Sequence, residues 1–437
     1  MRKYLLLAAA GLVAATPAHA NELRDAIAAD MPGLTAIYRD LHQHPELSFQ
    51  EVRSAKILAD AARKAGFTVT EGVGKTGIVA VMRNGKGPTV LVRTDMDALP
   101  VVEQTGLPYA STVRAQAAGG ETGVMHACGH DTHMTAWIET ARLMAARKDR
   151  WQGTLVMIGQ PAEETGQGAD AMLKDGLYTR FPKPDAVLAF HDMSGSPAGK
   201  ITYASGPAMA NVDSVDIEVK GVGGHGAAPH TTKDPIVLAS AIVMRLQTLV
   251  SRENDPLDPA VVTVGSFHAG SKYNIIGDSA HLQLTVRSFS DQQRQRLLDG
   301  IRRIAKGEAI ASGVPDDLLP VVDTGEGFTP TLYNDPGFAA EVAARFAQRF
   351  GADRVAVARP IMPGEDFSRY GREDPQAIRS FLFWVGGERP EVIAKAKAEG
   401  TVLPSLHSPF WAPDAEKVIA TAAEALTSEA MALMPRG

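Results

Sequence analysis

Three times in this chain a nearly continuous apolar run delivers acids or histidines. Pro88–Arg93 leads into Asp95-Met96-Asp97, Gly153–Gln160 into Pro161-Ala162-Glu163-Glu164, and Asp185–Phe190 into His191-Asp192. Short runs without polar alternation belong to strands covered on both faces, which are the central strands of α/β sheets. Polar groups at the carboxyl ends of such strands lie where open α/β sheets gather ligands and catalytic side chains. One Glu-Glu pair or one strand-end histidine is ordinarily a solvated turn or a structural residue. Their recurrence predicts an α/β fold whose chemistry sits along one edge of a sheet. Helical spacing over Leu23–Leu41, Glu51–Ala65 and Met134–Arg147, and strands over Phe67–Thr70 and Ile78–Arg83, supply the surrounding layers.

The 437 residues are long for one domain, and the texture changes near Val212. Ser214–Lys220 alternates as a half-buried strand does, Pro235–Val250 reads as a helix, Ala260–Ala269 and Ala280–Ser288 alternate again, and Gln292–Gly307 is a second helix. A short strand at Leu319–Asp323 would complete the order β-α-β-β-α-β of a ferredoxin-like unit, here an α+β insert over residues 211–325. Leu332–Phe350 then reads as helical. The chain is expected to return to its first domain over 326–437, completing the unit begun at 21–210, through Pro360–Phe367, Phe381–Gly387 and Leu406–Phe410.

Residues 1–20 stand apart. Arg2 and Lys3 precede an apolar run to Ala15, and Ala18-His19-Ala20 has the small-x-small form of a cleavage site, the pattern of a secretory signal. The expectation is an exported protein, periplasmic or secreted, with no membrane attachment after cleavage. The formal charge of −6 becomes −8 once Arg2 and Lys3 are removed, and no basic run offers nucleic acid a binding surface. Export brings an oxidising compartment, yet the chain has a single cysteine, Cys128, which can form no intrachain bridge. An unprotected thiol there is an oxidation liability, and a bound metal would protect it.

That cysteine lies in His126-Ala127-Cys128-Gly129-His130-Asp131-Thr132-His133, a stretch dense in the side chains that hold zinc and similar borderline-soft metals. Adjacent residues at a strand end point in different directions. Of Glu163 and Glu164, one can therefore hold a metal while the other faces the water that the metal acidifies. Cys128, His130, Glu164, His191 and His407 together offer sulfur, nitrogen and oxygen donors enough for two metals in one site.

The chain resembles the M20 metallopeptidase family, in the amidohydrolase branch that contains hippurate hydrolases and indole-acetyl-amino-acid hydrolases. The resemblance rests on Arg93-Thr94-Asp95-Met96-Asp97-Ala98-Leu99-Pro100, Met125–His133, Gln160–Glu164, Gly223-Gly224-His225-Gly226-Ala227-Ala228-Pro229-His230, Gly364-Glu365-Asp366-Phe367-Ser368 and Leu406-His407-Ser408-Pro409, spread in family order over nearly the whole chain. It implies an α/β catalytic domain with a binuclear metal site, and an inserted ferredoxin-like lid that makes a homodimer. It also implies two divalent metal ions, zinc or manganese before cobalt or nickel, held by Cys128, His130, Glu164, His191 and His407. Glu163 would be the general acid/base, and His225 would reach across the dimer to polarise the scissile carbonyl. Asn274 and Arg287 would hold the substrate carboxylate, and Asp97 would support the ligands, as would His126 and His133. The implied reaction is hydrolysis of the amide of small N-acyl or N-aroyl amino acids, the alternative being a dipeptidase or carboxypeptidase of the same family. Two departures stand out: Asp95 occupies a position where other branches carry a ligand histidine, and Asp192-Met193-Ser194-Gly195-Ser196-Pro197 replaces the usual apolar or aromatic residue and proline after His191.

Overall fold

The computed structural model describes residues 17–117, 119–325 and 327–436. The export segment read over residues 1–20 therefore lies, up to Thr16, outside the described residues. From Pro17 the chain is helix α1 (Pro17–Gln43), followed by α2 (Val52–Lys64). Strands β1 (Thr68–Val73), β2 (Gly77–Asn84) and β3 (Thr89–Asp95) come next, then α3 (His130–Ala146), β4 (Gly153–Gln160), β5 (Ala186–Pro197) and β6 (Ile201–Tyr203). The chain continues into β7 (Asn211–Lys220), α4 (Pro235–Thr248), β8 (Val261–Ala269), β9 (Ser279–Ser288), α5 (Asp291–Ala311) and β10 (Val321–Asp323). It returns through α6 (Pro336–Phe350), β11 (Val355–Val357), β12 (Arg379–Glu388) and α7 (Ala415–Leu433).

Eight strands form the central sheet in the order β1-β2-β4-β3-β5-β12-β6-β11. Its middle, β4-β3-β5-β12, is parallel, and antiparallel pairs flank it. Successive side chains of these strands alternate between two cores. Val90, Val92, Leu155, Met157, Leu188 and Phe190 pack under α1, α3 and α7, while Leu91, Val156, Ile158, Val187 and Leu382 fill the opposite face with Phe367 and Tyr370. Because both faces are covered, all eight residues of β4 are buried. This explains the unbroken apolar runs of the sequence.

The second unit is a four-stranded antiparallel sheet in the order β8-β9-β7-β10, the arrangement of a ferredoxin-like fold. The strict alternation of β7 turns Val215, Ile217 and Val219 toward α4 and α5, which close a core of their own. Helix α4 with its continuation to Glu253 is the one described helix long and apolar enough to cross a membrane, and it buries Leu238, Ile242 and Leu246 in that core.

The expected helix over Leu332–Phe350 needs correction at its start. Leu332–Asn334 is a strand paired with Gly206–Met209, and the helix begins only at Pro336. Asp335 caps it by accepting from the Phe338 amide at 2.7 Å, and Pro336 occupies the first turn, where its missing N–H costs nothing. The helix Pro390–Glu399 is an addition to the expected elements.

Candidate metal centre and active site

The register of the parallel strands brings the strand-end groups level. Asp95 pairs with Gln160, and Val92 pairs with Leu188, so His191 stands three residues on, beside Asp95. The loop before α3 supplies the rest. Gly129 sits at φ +77° as the helix N-cap, and a Cβ there would lie 2.1 Å from Asp192 Oδ2. Glycine is thus required for conformation and for space. It turns the chain so that Cys128 and His130, the first helical residue, face the same point.

Five donors from four segments converge there. Cys128 Sγ lies 3.5 Å from His191 Nε2 and 3.2 Å from His407 Nε2. His407 Nε2 lies 3.5 Å from Glu164 Oε2, and His130 Nε2 is 3.8 Å from Glu164 Oε1. The thiol is shared between two groupings of mutually close donor atoms, one with His130 and His191, the other with Glu164 and His407. Both His130 nitrogens and Glu164 Oε1 are buried without a hydrogen-bond partner, which a folded protein seldom tolerates unless something else binds them. The ring of His191 is oriented by a 2.7 Å hydrogen bond between Nδ1 and the Asp192 carbonyl, which turns Nε2 toward the Cys128 thiol.

Glu163 stands beside these donors, its Oε2 4.0 Å from His130 Nε2. Its backbone is tightly held. The Glu163 and Glu164 amides each donate to Asp97, to Oδ1 and Oδ2 at 3.0 Å, and the Ser48 hydroxyl donates to Asp97 Oδ2 at 2.6 Å. Asp97 Oδ1 also lies 3.5 Å from His130 Nδ1. The preceding residue, Ala162, has φ +48°, a left-handed conformation that costs a residue with a Cβ about 1–2 kcal/mol. His407 is left-handed too, at φ +67°, with its amide bonded to Ala127 O at 2.8 Å.

Beneath this layer Arg93, fully buried, donates to Asp95 Oδ2 at 2.6 Å, to Glu365 Oε1 at 2.8 Å and to Gln160 Oε1 at 2.9 Å. Asp95 in turn receives His133 Nδ1 at 2.7 Å, and His133 Nε2 accepts the Asp192 amide at 3.0 Å. Asp95 therefore sits between arginine and histidine. Nothing in the sequence marked Glu365 and Asp366 as the partners of Arg93; the signal available was an unpaired arginine in an otherwise apolar strand.

The protonation pattern fits a cation site. Burial, then the Glu164 and Glu163 carboxylates, push the Cys128 thiol well above its ordinary range. Burial and the neighbouring Glu365 and Glu164 raise Glu163 well above a normal carboxylic acid, and burial raises Glu164 to about 7. Burial works against a charge on His130, but Asp95 and Asp97 hold its pKa at about 10. Acidic groups that keep their protons this strongly are ones whose protons a divalent cation displaces on binding. The donor set, sulfur and imidazole with one carboxylate, suits a borderline-soft ion.

Three expected residues stand apart from this cluster. His225 lies exposed in the lid, its Nδ1 accepting the Ala227 amide at 3.0 Å. Asn274 is beside it, its carbonyl accepting the Gly226 amide at 2.9 Å and its side-chain Oδ1 buried without a partner. Arg287, on β9, is half-buried and donates to Thr285 Oγ1 at 3.0 Å and to Met362 O at 3.2 Å, with no carboxylate partner among the described residues.

A carboxylate left beside a cluster of metal donors, at the ligand-gathering edge of an α/β sheet, is the equipment of a metal-dependent hydrolase. The chain belongs to peptidase family M20: the profile of Peptidase family M20/M25/M40 matches residues 91–407. Within that family it falls in the amidohydrolase branch. It is 39% identical over 335 residues to the hippurate hydrolase of Campylobacter jejuni, covering 76% of this chain and 83% of that one. It is 37% identical over 352 residues to the N-acetylcysteine deacetylase of Bacillus subtilis, covering 80% and 86%. The crystal structure of the Bacillus subtilis YXEP protein, described as a dinuclear metal binding peptidase from the M20 family, superposes with a TM-score of 0.73 at 31% identity, covering 93% of this chain and 99% of that one.

Proposed function

We propose that this enzyme hydrolyses the amide bond of small N-acyl or N-aroyl amino acids, with Glu163 moving the proton. The observation that carries the reading is that both buried His130 nitrogens and Glu164 Oε1 have no hydrogen-bond partner, with Glu163 alongside them and engaged in no short side-chain hydrogen bond among the described residues. Cys128, His130, Glu164, His191 and His407 would hold two divalent ions, zinc or manganese, which supply acidification of a water and polarisation of the amide carbonyl. Glu163 takes a proton from the attacking water and returns it to the departing nitrogen. Burial and the neighbouring Glu365 and Glu164 carboxylates raise its pKa, which strengthens its hold on that proton between the two steps. Asp97 fixes Glu163 and Glu164 through their amides, so general base and ligand keep their spacing. In a homodimer formed through the lid, His225 of the partner subunit would reach the carbonyl. Asn274 and Arg287 would receive the substrate carboxylate, a group that the Arg287 fork matches in two places. The signal-like residues 1–20 support a periplasmic or secreted enzyme.

A second reading, a peptidase acting on dipeptides or C-terminal residues, is favoured by the description of the Bacillus subtilis structural relative. The deciding experiment removes the metal with a chelator, restores it with zinc, manganese or cobalt, and compares N-benzoylglycine, N-acetyl amino acids and free-amine dipeptides. Preference for the acylated substrates is the expected result; faster cleavage of dipeptides would replace this reading with the second.

A further inference from the structure

Glu51 lies outside the donor cluster, at the start of α2, and is buried. A glutamate there would ordinarily cap its own helix, but Glu46 performs that task, accepting the Arg53 and Ser54 amides at 2.8 Å each. The Glu51 carboxylate is thereby free to reach elsewhere. Its Oε1 accepts two backbone amides at 2.8 Å, those of Phe49 and Ala162, and its Oε2 accepts the Thr76 hydroxyl. Phe49 and Ala162 are both left-handed, at φ +61° and +48°. One oxygen thus ties down two strained peptides, and the second of them is the link that aims Glu163. Together with Asp97, Glu51 leaves the three consecutive amides of residues 162–164 each bonded to a buried carboxylate.

We propose that Glu51 is a positioning residue for Glu163, holding Ala162 in the left-handed conformation from which Glu163 faces the reacting atoms. The role rests on the hydrolytic reading given above. It depends on reach and not on charge: the chain needs an acceptor at the position of Oε1.

The test uses two conservative variants of the full, metal-loaded enzyme. Glu51→Asp keeps the charge but draws the acceptor back by about 1.5 Å, one carbon–carbon bond. Glu51→Gln keeps an oxygen at the Oε1 position and places an amide nitrogen against the Thr76 hydroxyl. Glu51→Asp is expected to lower kcat on N-benzoylglycine by at least about tenfold, with KM within about twofold and bound metal unchanged, because small misplacements near a reacting group are costly. Glu51→Gln is expected to stay within about threefold of wild type, and Glu51→Asp/Ala162→Gly to recover most of the lost rate, since glycine takes the left-handed conformation without strain. Hydrogen exchange over residues 160–166, which needs no turnover, should accelerate in Glu51→Asp and not in Glu51→Gln. If Glu51→Gln is the more damaged variant, or glycine at 162 rescues nothing, the positioning role is overturned. If wild type cleaves no N-acyl amino acid while the exchange pattern holds, the substrate reading fails and the hold on Ala162 stands.

Discussion

Asp97→Asn changes one atom and should nevertheless disable the site. The native carboxylate offers two acceptor oxygens to three donors, the Glu163 amide, the Glu164 amide and the Ser48 hydroxyl, at 3.0, 3.0 and 2.6 Å. Asparagine has one oxygen, so in either orientation its NH₂ faces a backbone N–H. One buried amide loses its acceptor and meets another donor. Leaving such a group unsatisfied costs about 1–3 kcal/mol, and the remaining bonds lose their charge assistance, so a stability loss of about 2–4 kcal/mol is expected. Because those amides belong to a proposed ligand and the proposed base, metal affinity or turnover should also fall by roughly 10–100-fold. Chemical denaturation of the apo and loaded forms, metal counting by mass spectrometry, and kcat/KM on N-benzoylglycine measure the three effects separately. A variant within threefold of wild type in turnover, with an unchanged denaturation midpoint, would refute the argument that Asp97 works through backbone amides.

Glu163→Gln should retain its metals while kcat falls by about 10²–10⁴-fold, the range expected for loss of a general acid–base group; metal loss in step with activity would reassign Glu163 as a ligand. Cys128→Ser should lower the metal bound per chain after dialysis, because both donor groupings use this sulfur; full stoichiometry at wild-type affinity would remove it from the ligand set. Glu139 is buried on α3 with no short hydrogen bond to either carboxylate oxygen, and burial, with Asp30 nearby, raises its pKa to about 8. The folded state therefore holds a proton that the unfolded state releases near pH 4.5, so stability falls as pH rises from about 4.5 to 8. Glu139→Gln should flatten that slope and raise stability at pH 8 by about 1–3 kcal/mol, read from denaturation midpoints across that range; an unchanged slope would show that another group sets it.

How much of this was legible follows from how local each signal is. Strands β3, β4 and β5 announced themselves because burial on both faces leaves no polar alternation, and the groups that follow them marked the edge where the cluster lies. Cys128 and His130 were legible because both lie within one turn of each other. Glu51 was not, because its partner Ala162 is 111 residues away and a glutamate at a helix start has a more ordinary local explanation. Nor was the left-handed backbone of Ala162 and His407, since neither residue type suggests it. Arg93 carries no sign in sequence of the carboxylates that neutralise it, one of which lies 272 positions later. The misread start of α6 has the same origin: Leu332 and Asn334 are held by pairing with Gly206–Met209, a contact no local pattern encodes.

The position of β12 bears on how the protein is made. This strand, Arg379–Glu388, lies between β5 and β6, so the middle of the sheet is completed only after every other described strand has been synthesised. Until it arrives, β5 presents a bare, apolar edge, the kind of surface that pairs with other chains. His407 follows still later. A nascent chain that stops short of these segments thus has the greater part of the proposed donors but neither a closed sheet nor the full proposed set. Closure of the exposed edge and completion of the proposed donor set thus fall in the same stretch of synthesis.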